Sequence, residues 1–250
     1  MAKIIGLVDD FEAGTRDAAK WTQYTDVNTS ITRSSSQVHF GTTAVAVYAE
    51  YKSAVTWDLT ESAVFAEVSA APQVATVAGD LTVYLDGSNK AAVRQYGADL
   101  HFLSVTAGVL TTHATVTYSA SSHRWWRLSH TGSTVSYETS ADGTTWVQRA
   151  TSTPSWALTS LSCIFSIYSD STTAATFSVA GLNVLQVGKP VQALWHDRVV
   201  AGQSDQYLWN LGAVVGQNRS LLWSDRVAAG ASEMLVWGTV GSTRLVSWIG

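Results

Sequence analysis

The chain has 250 residues, of which 46% are hydrophobic, only 14% are charged, and the net charge is −4. This excludes a basic footprint able to neutralise a phosphate backbone, so nucleic acid is not an expected partner. Eleven Trp, a surplus of Ser, Thr and Gly, and only three Pro describe strands and turns around a sizeable core.

At the N-terminus, Met1 to Val8 holds one Lys and a short apolar stretch before Asp9-Asp10. That stretch is shorter than the apolar core of a signal peptide, and no 18-residue apolar run follows, so neither standard export nor membrane insertion is expected. From Val45 to Val184 the sequence breaks into short segments with period-2 alternation: Val45–Tyr48, Val55–Leu59, Leu81–Leu85, Leu100–Leu103 and Ile164–Tyr168. Turn residues punctuate them at Asp86-Gly87-Ser88, Thr131-Gly132-Ser133 and Asp142-Gly143. Such spacing without a sustained helical period predicts a sandwich or barrel.

Arg124–His130, Thr134–Thr139 and Thr145–Val147 predict two successive antiparallel connections, with a tight hairpin at Asp142-Gly143. Alternation puts Trp126 and Leu128 on one face, taken as core, and Trp125 and Arg127 on the other, taken as open. The single Cys163, in an apolar alternating run, is expected to be a small core residue. The six His show no zinc-binding spacing. No phosphate-binding glycine loop and no Gly-x-Ser-x-Gly elbow is present.

The Asp9-Asp10-Phe11-Glu12 and Trp21 opening, together with the run from Trp125-Trp126-Arg127-Leu128 to Asp142-Gly143-Thr144-Thr145-Trp146, resembles the concanavalin A-like (laminin-G-like) jelly roll over residues 9–185. The resemblance implies a two-sheet β-sandwich, here assigned residues 1–186, and, as in some jelly rolls, a structural calcium site to which Asp9, Asp10 and Glu12 could contribute. It leaves function open, since lectins, carbohydrate-binding modules, glycosidases and structural domains share that fold. Glucanases of the fold carry a Glu-x-Asp-x-x-Glu strand. Glu61, Glu67 and Glu138 have no acidic residue two positions on, and Glu138 with Asp142 spans a turn. On that ground the chain is expected to be no enzyme. Sugar recognition would instead fall to aromatic stacking with polar partners, for which Trp57, Tyr84, Arg94, Tyr96, Trp125, Arg127 and Tyr137 are the candidates.

Val187-Gly188-Lys189-Pro190 opens an expected linker over residues 187–192, and a repeat fills residues 193–250. Trp195, Trp209, Trp223 and Trp237 recur every 14 residues, and Leu194–Gly202 returns 28 residues later as Leu222–Gly230. Gly at every second seam position rules out a coiled coil, whereas strand alternation gathers the Trp on one face of a β meander. A lone four-strand sheet cannot bury such a face, so it must pack on the sandwich or on copies of itself. A three-fold arrangement would bury every Trp, and by analogy with the three-fold symmetry common in fibrous assemblies a homotrimer with these four Trp at the interface is expected. The repeat resembles those at the C-termini of minor tail proteins in phages of actinobacteria. That resemblance implies a tail component assembled in the host cytoplasm with other tail proteins and acting at the host surface, where the jelly roll would bind an envelope glycan or receptor. The alternatives are a bacterial carbohydrate-binding module or an envelope-degrading glycosidase.

Overall fold

The computed structural model describes residues 1–184 and two short strands near the C-terminus. The chain divides into two units, Met1–Gln192 and Ala193–Gly250. In the first, a 3-10 turn at Ile4–Gly6 is followed by β1 (Trp21–Thr25), β2 (Thr29–Ser34), β3 (Gln37–Thr42), β4 (Val45–Ser53) and β5 (Ser62–Ala70). Then come β6 (Val77–Asp86), β7 (Asn89–Tyr96), β8 (Asp99–Thr106), β9 (Val109–Thr117) and β10 (Trp125–Thr131). β11 (Thr134–Ser140), β12 (Val147–Ser152), β13 (Ser162–Asp170) and β14 (Ala175–Leu182) complete it.

These strands form two seven-stranded sheets, ordered β1-β4-β13-β6-β7-β8-β9 and β12-β11-β10-β5-β14-β3-β2. Every named strand pair is antiparallel. Strand alternation dictates the sandwich. In β4, Val47, Ala49 and Tyr51 are buried while Tyr48, Glu50 and Lys52 between them are half-buried and lie on the opposite face. The inner faces meet in one core that includes Trp21, Phe40, Tyr51, Phe102, Trp126, Tyr137, Phe165 and Phe177. Cys163 is fully buried in it as a free thiol, and burial pushes its pKa far above the usual thiol range.

Two local expectations need correction. Val55–Leu59 is no strand. It joins its surroundings by single bridges, Trp57 to Leu161 and Lys3 to Asp58, because the N-terminal segment turns away at Ile4–Gly6 before a ladder can extend. The β11–β12 connection is antiparallel but longer than a two-residue hairpin. Gly143 alone has positive φ there (75°), and the Asp142 carboxylate accepts N–H bonds from Thr144 and Thr145 at 2.8 and 2.7 Å. These bonds hold the Asp142 carboxyl far below the usual range.

The N-terminal segment closes the sandwich. Asp9 and Leu182 exchange backbone hydrogen bonds, and the Asn183 amide donates to the carbonyls of Ile4 and Leu7 while its oxygen accepts from the Phe65 N–H. In the second unit, β15 (Val236–Gly238) pairs antiparallel with β16 (Leu245–Ser247) and contains Trp237. The linker at 187–192 and Trp195, Trp209 and Trp223 lie outside the described residues.

Candidate functional site

On the outer face of the first sheet lies a groove of about 390 Å³, lined by residues from four adjacent strands. β4 contributes Tyr48, Glu50 and Lys52; β13, Ile164, Ser166 and Tyr168; β6, Asp80, Thr82 and Tyr84; β7, Lys90 and Arg94. Each set is spaced by two residues or, in β7, by four, the even period that puts side chains on one face of a strand. Register aligns the sets crosswise: Glu50 and Asp80 both stand opposite Ser166, Arg94 stands opposite Asp80, and His101 opposite Arg94.

The polar row is held in place by its own bonds. Arg94 donates to both Asp80 oxygens, Nε to Oδ1 and Nη2 to Oδ2, each at 2.8 Å. The Asp80 charge raises the Arg94 pKa above its ordinary value. The Tyr48 hydroxyl donates to Glu50 Oε2 at 2.7 Å. Burial first, and that carboxylate second, push the Tyr48 phenol far above its usual range. Tyr168 is exposed, and its hydroxyl donates to Asp170 at 2.6 Å. Lys52 Nζ lies 5.1 Å from the centroid of the Tyr84 ring. Among the described residues no cluster of His, Cys, Asp and Glu could hold a metal ion. Asp9, proposed for calcium, is buried and already accepts the Trp21 indole N–H at 2.7 Å and faces Arg33 at 3.5 Å.

Of the seven residues proposed from the sequence for sugar contact, the structure brings three to this face. Tyr84 and Arg94 line the groove, and Tyr96, two residues beyond Arg94 on β7, is exposed beside it. The others are elsewhere. Tyr137 is fully buried in the core and offers no ring face. Trp125 and Arg127 lie on the outer face of the other sheet as the alternation predicts, but Trp125 is only 4% exposed because the Gly143 turn covers it. Arg127 is bound to both Glu138 oxygens at 2.6 Å and lies 4.2 Å from the Trp146 ring centroid. Trp57 is on neither sheet and packs against the core. Glu50 and Asp80 were missed because a search along single strands cannot see a pair formed across three. The only sequence signal was their place in two polar alternating sets, Tyr48-x-Glu50-x-Lys52 and Asp80-x-Thr82-x-Tyr84.

No family model and no curated sequence matches the chain. Solved structures do share its fold. A Bacillus licheniformis β-glucanase is 11% identical, with a TM-score of 0.55, over 70% of this chain and 95% of its own. A κ-carrageenase from Pseudoalteromonas carrageenovora, solved with an oligotetrasaccharide of κ-carrageenan, is 12% identical, with a TM-score of 0.51, over 70% of this chain and 91% of its own. An uncharacterised Mycobacterium paratuberculosis protein is 15% identical, with a TM-score of 0.55, over 70% and 97%. At these identities the likeness establishes the fold. It also overturns the expectation of a chain without enzymatic activity, since polysaccharide-degrading enzymes recur among the neighbours. That expectation rests on a search along single strands, which does not reach carboxylates aligned across strands, such as Glu50 and Asp80 on either side of Ser166.

Proposed function

We propose that the jelly roll binds a polysaccharide in the groove of its first sheet and hydrolyses it, with Glu50 and Asp80 as the carboxylate pair. The observation that carries the reading is their shared register opposite Ser166 in a groove walled by Tyr48, Tyr84 and Tyr168. Tyrosine rings pack against the C–H faces of sugars, and the row of charged and hydroxyl groups orients them. Two strand spacings put the two Cα atoms roughly 10 Å apart. That width suits an inverting arrangement, in which a water molecule fits between carboxyls about 6.5–9.5 Å apart. Asp80, held in place by both Arg94 hydrogen bonds, suits the base that activates the water. Glu50, on the other side of the row, would then deliver the proton to the leaving oxygen.

The test is product release from a panel of β-glucans and galactans, with anomeric configuration followed by NMR. Glu50→Gln and Asp80→Asn should each reduce release by roughly 10²–10⁴-fold. Hydrolysis unaffected by both substitutions would sink the assignment of the pair, and a panel that shifts no groove resonance would sink the saccharide reading.

A second proposal rests on the repeat at Trp195, Trp209, Trp223 and Trp237, whose 14-residue period supports a phage tail component displaying this domain at the host surface. A run of tail genes around the coding sequence would support it, and a metabolic operon there would overturn it.

A further inference from the structure

Three cations line the groove, and only one is neutralised within it. Arg94 is committed to Asp80, whereas Lys52 and Lys90 make no ion pair among the described residues. Both lysines are half-buried and both flank the same ring: Lys52 Nζ stands 5.1 Å from the Tyr84 centroid, and Lys90 is directly opposite Tyr84 in the β6–β7 register. Lysines often guard the edge of a sheet against another strand, but β4 and β7 are interior strands with a neighbour on each side. Nor does the overall charge explain them, since the chain is acidic at −4. Two ammonium groups without an ion pair, against Glu50 as the one lining carboxylate outside one, leave positive potential at this end of the groove, where a ligand would enter.

We propose, resting on the saccharide reading above, that this end of the groove selects an acidic sugar. Its carboxylate or sulfate lies between Lys52 and Lys90, with Tyr84 as the wall its ring packs against. Opposite charge supplies the selectivity. A neutral sugar would leave both ammonium groups without a partner on binding, whereas an anion pairs with both.

Matched oligosaccharides that differ only in charge are the test, measured by calorimetry and by NMR of the groove. One pair is tetragalacturonate and its methyl ester; the other is a κ-carrageenan tetrasaccharide and its desulfated form, so the two arms separate carboxylate from sulfate. In at least one pair the charged member should bind at least about tenfold more tightly, and added salt should shrink that advantage. The double substitution Lys52→Gln, Lys90→Gln should bring the ratio of the two affinities to about one, while Lys52→Arg, Lys90→Arg keeps the preference. Equal affinity within both pairs, or a preference that survives the Gln double variant, overturns the charge selection and leaves the saccharide reading standing. Failure of all four oligosaccharides to bind while a β-glucan or galactan of the panel above still binds also overturns the acidic-sugar selection, and failure of the whole panel as well removes the saccharide reading itself.

Discussion

The neighbouring residues Trp125 and Trp126 are both buried, yet they answer to different causes. Trp126 is a core residue, with no exposed surface, its indole N–H on the His123 carbonyl at 2.8 Å and its ring stacked on Phe177 at 5.8 Å. Trp126→Ala should therefore cost about 3–5 kcal/mol in a urea unfolding titration. Trp125 is buried by a turn. A Cβ on Gly143 would come within 2.9 Å of its ring, at a residue whose φ is already 75°. Gly143→Ala should destabilise by about 1–3 kcal/mol, and near-ultraviolet circular dichroism should report a change around Trp125. Alternation in the sequence placed these two indoles on opposite faces, as the structure has them. It could not foresee the lid over Trp125, because a six-residue turn folding back on its own strand leaves no periodic mark. Tyr137 shows the same limit, since an aromatic at a strand position reads identically whether its face meets water or the other sheet.

At the scale of strands, the first sheet presents its polar groups in a line perpendicular to the chain direction: Glu50, Ser166, Asp80, Arg94, His101 and Thr115 in register. Strands were legible in the sequence because period-2 alternation is local. The line was not, because β13 meets β4 and β6 across long stretches of chain, Ser166 standing against Glu50 and Asp80 from 116 and 86 positions away. Adjacent strands are about 4.8 Å apart, close to the length of one hexose. A polysaccharide lying along the row would therefore meet one strand per sugar, and substitutions at successive strands should affect successive sugars. Elsewhere the pairing of an irregular segment can be followed by pH. Lys3 donates to Asp58 at 2.7 Å, and this bond first, with the Thr60 hydroxyl next, lowers the Asp58 pKa from 3.8 to about 2. A depressed carboxyl stabilises the fold above its unfolded pKa, and that contribution disappears as pH falls through about 2. Carboxyl ¹³C NMR should show the low midpoint, and Lys3→Met should move it back toward 3.8.

At the scale of the whole molecule, the two units invite separation. We propose that residues 193–250 hold the protein as a homotrimer, because a face of four Trp in register would be a large apolar patch on a monomer. Light scattering on the full chain should give a trimer, and truncation after Gly188 should give a folded monomer with a single cooperative melt. A monomeric full chain, or a truncation that stays trimeric, would place assembly elsewhere. The truncated unit already contains both halves of its own closure. Asn183 reaches Ile4 and Leu7, and Leu182 bonds Asp9, so contacts between residues nearly 180 positions apart complete the sandwich. Contacts so distant in sequence form against the full entropy of closing the intervening loop. Because the seam brings the two ends of the sandwich together, a short peptide could join them. The chain could then be opened instead at an exposed tip such as Gly132, giving a circular permutant that keeps the groove while its termini emerge from another hairpin.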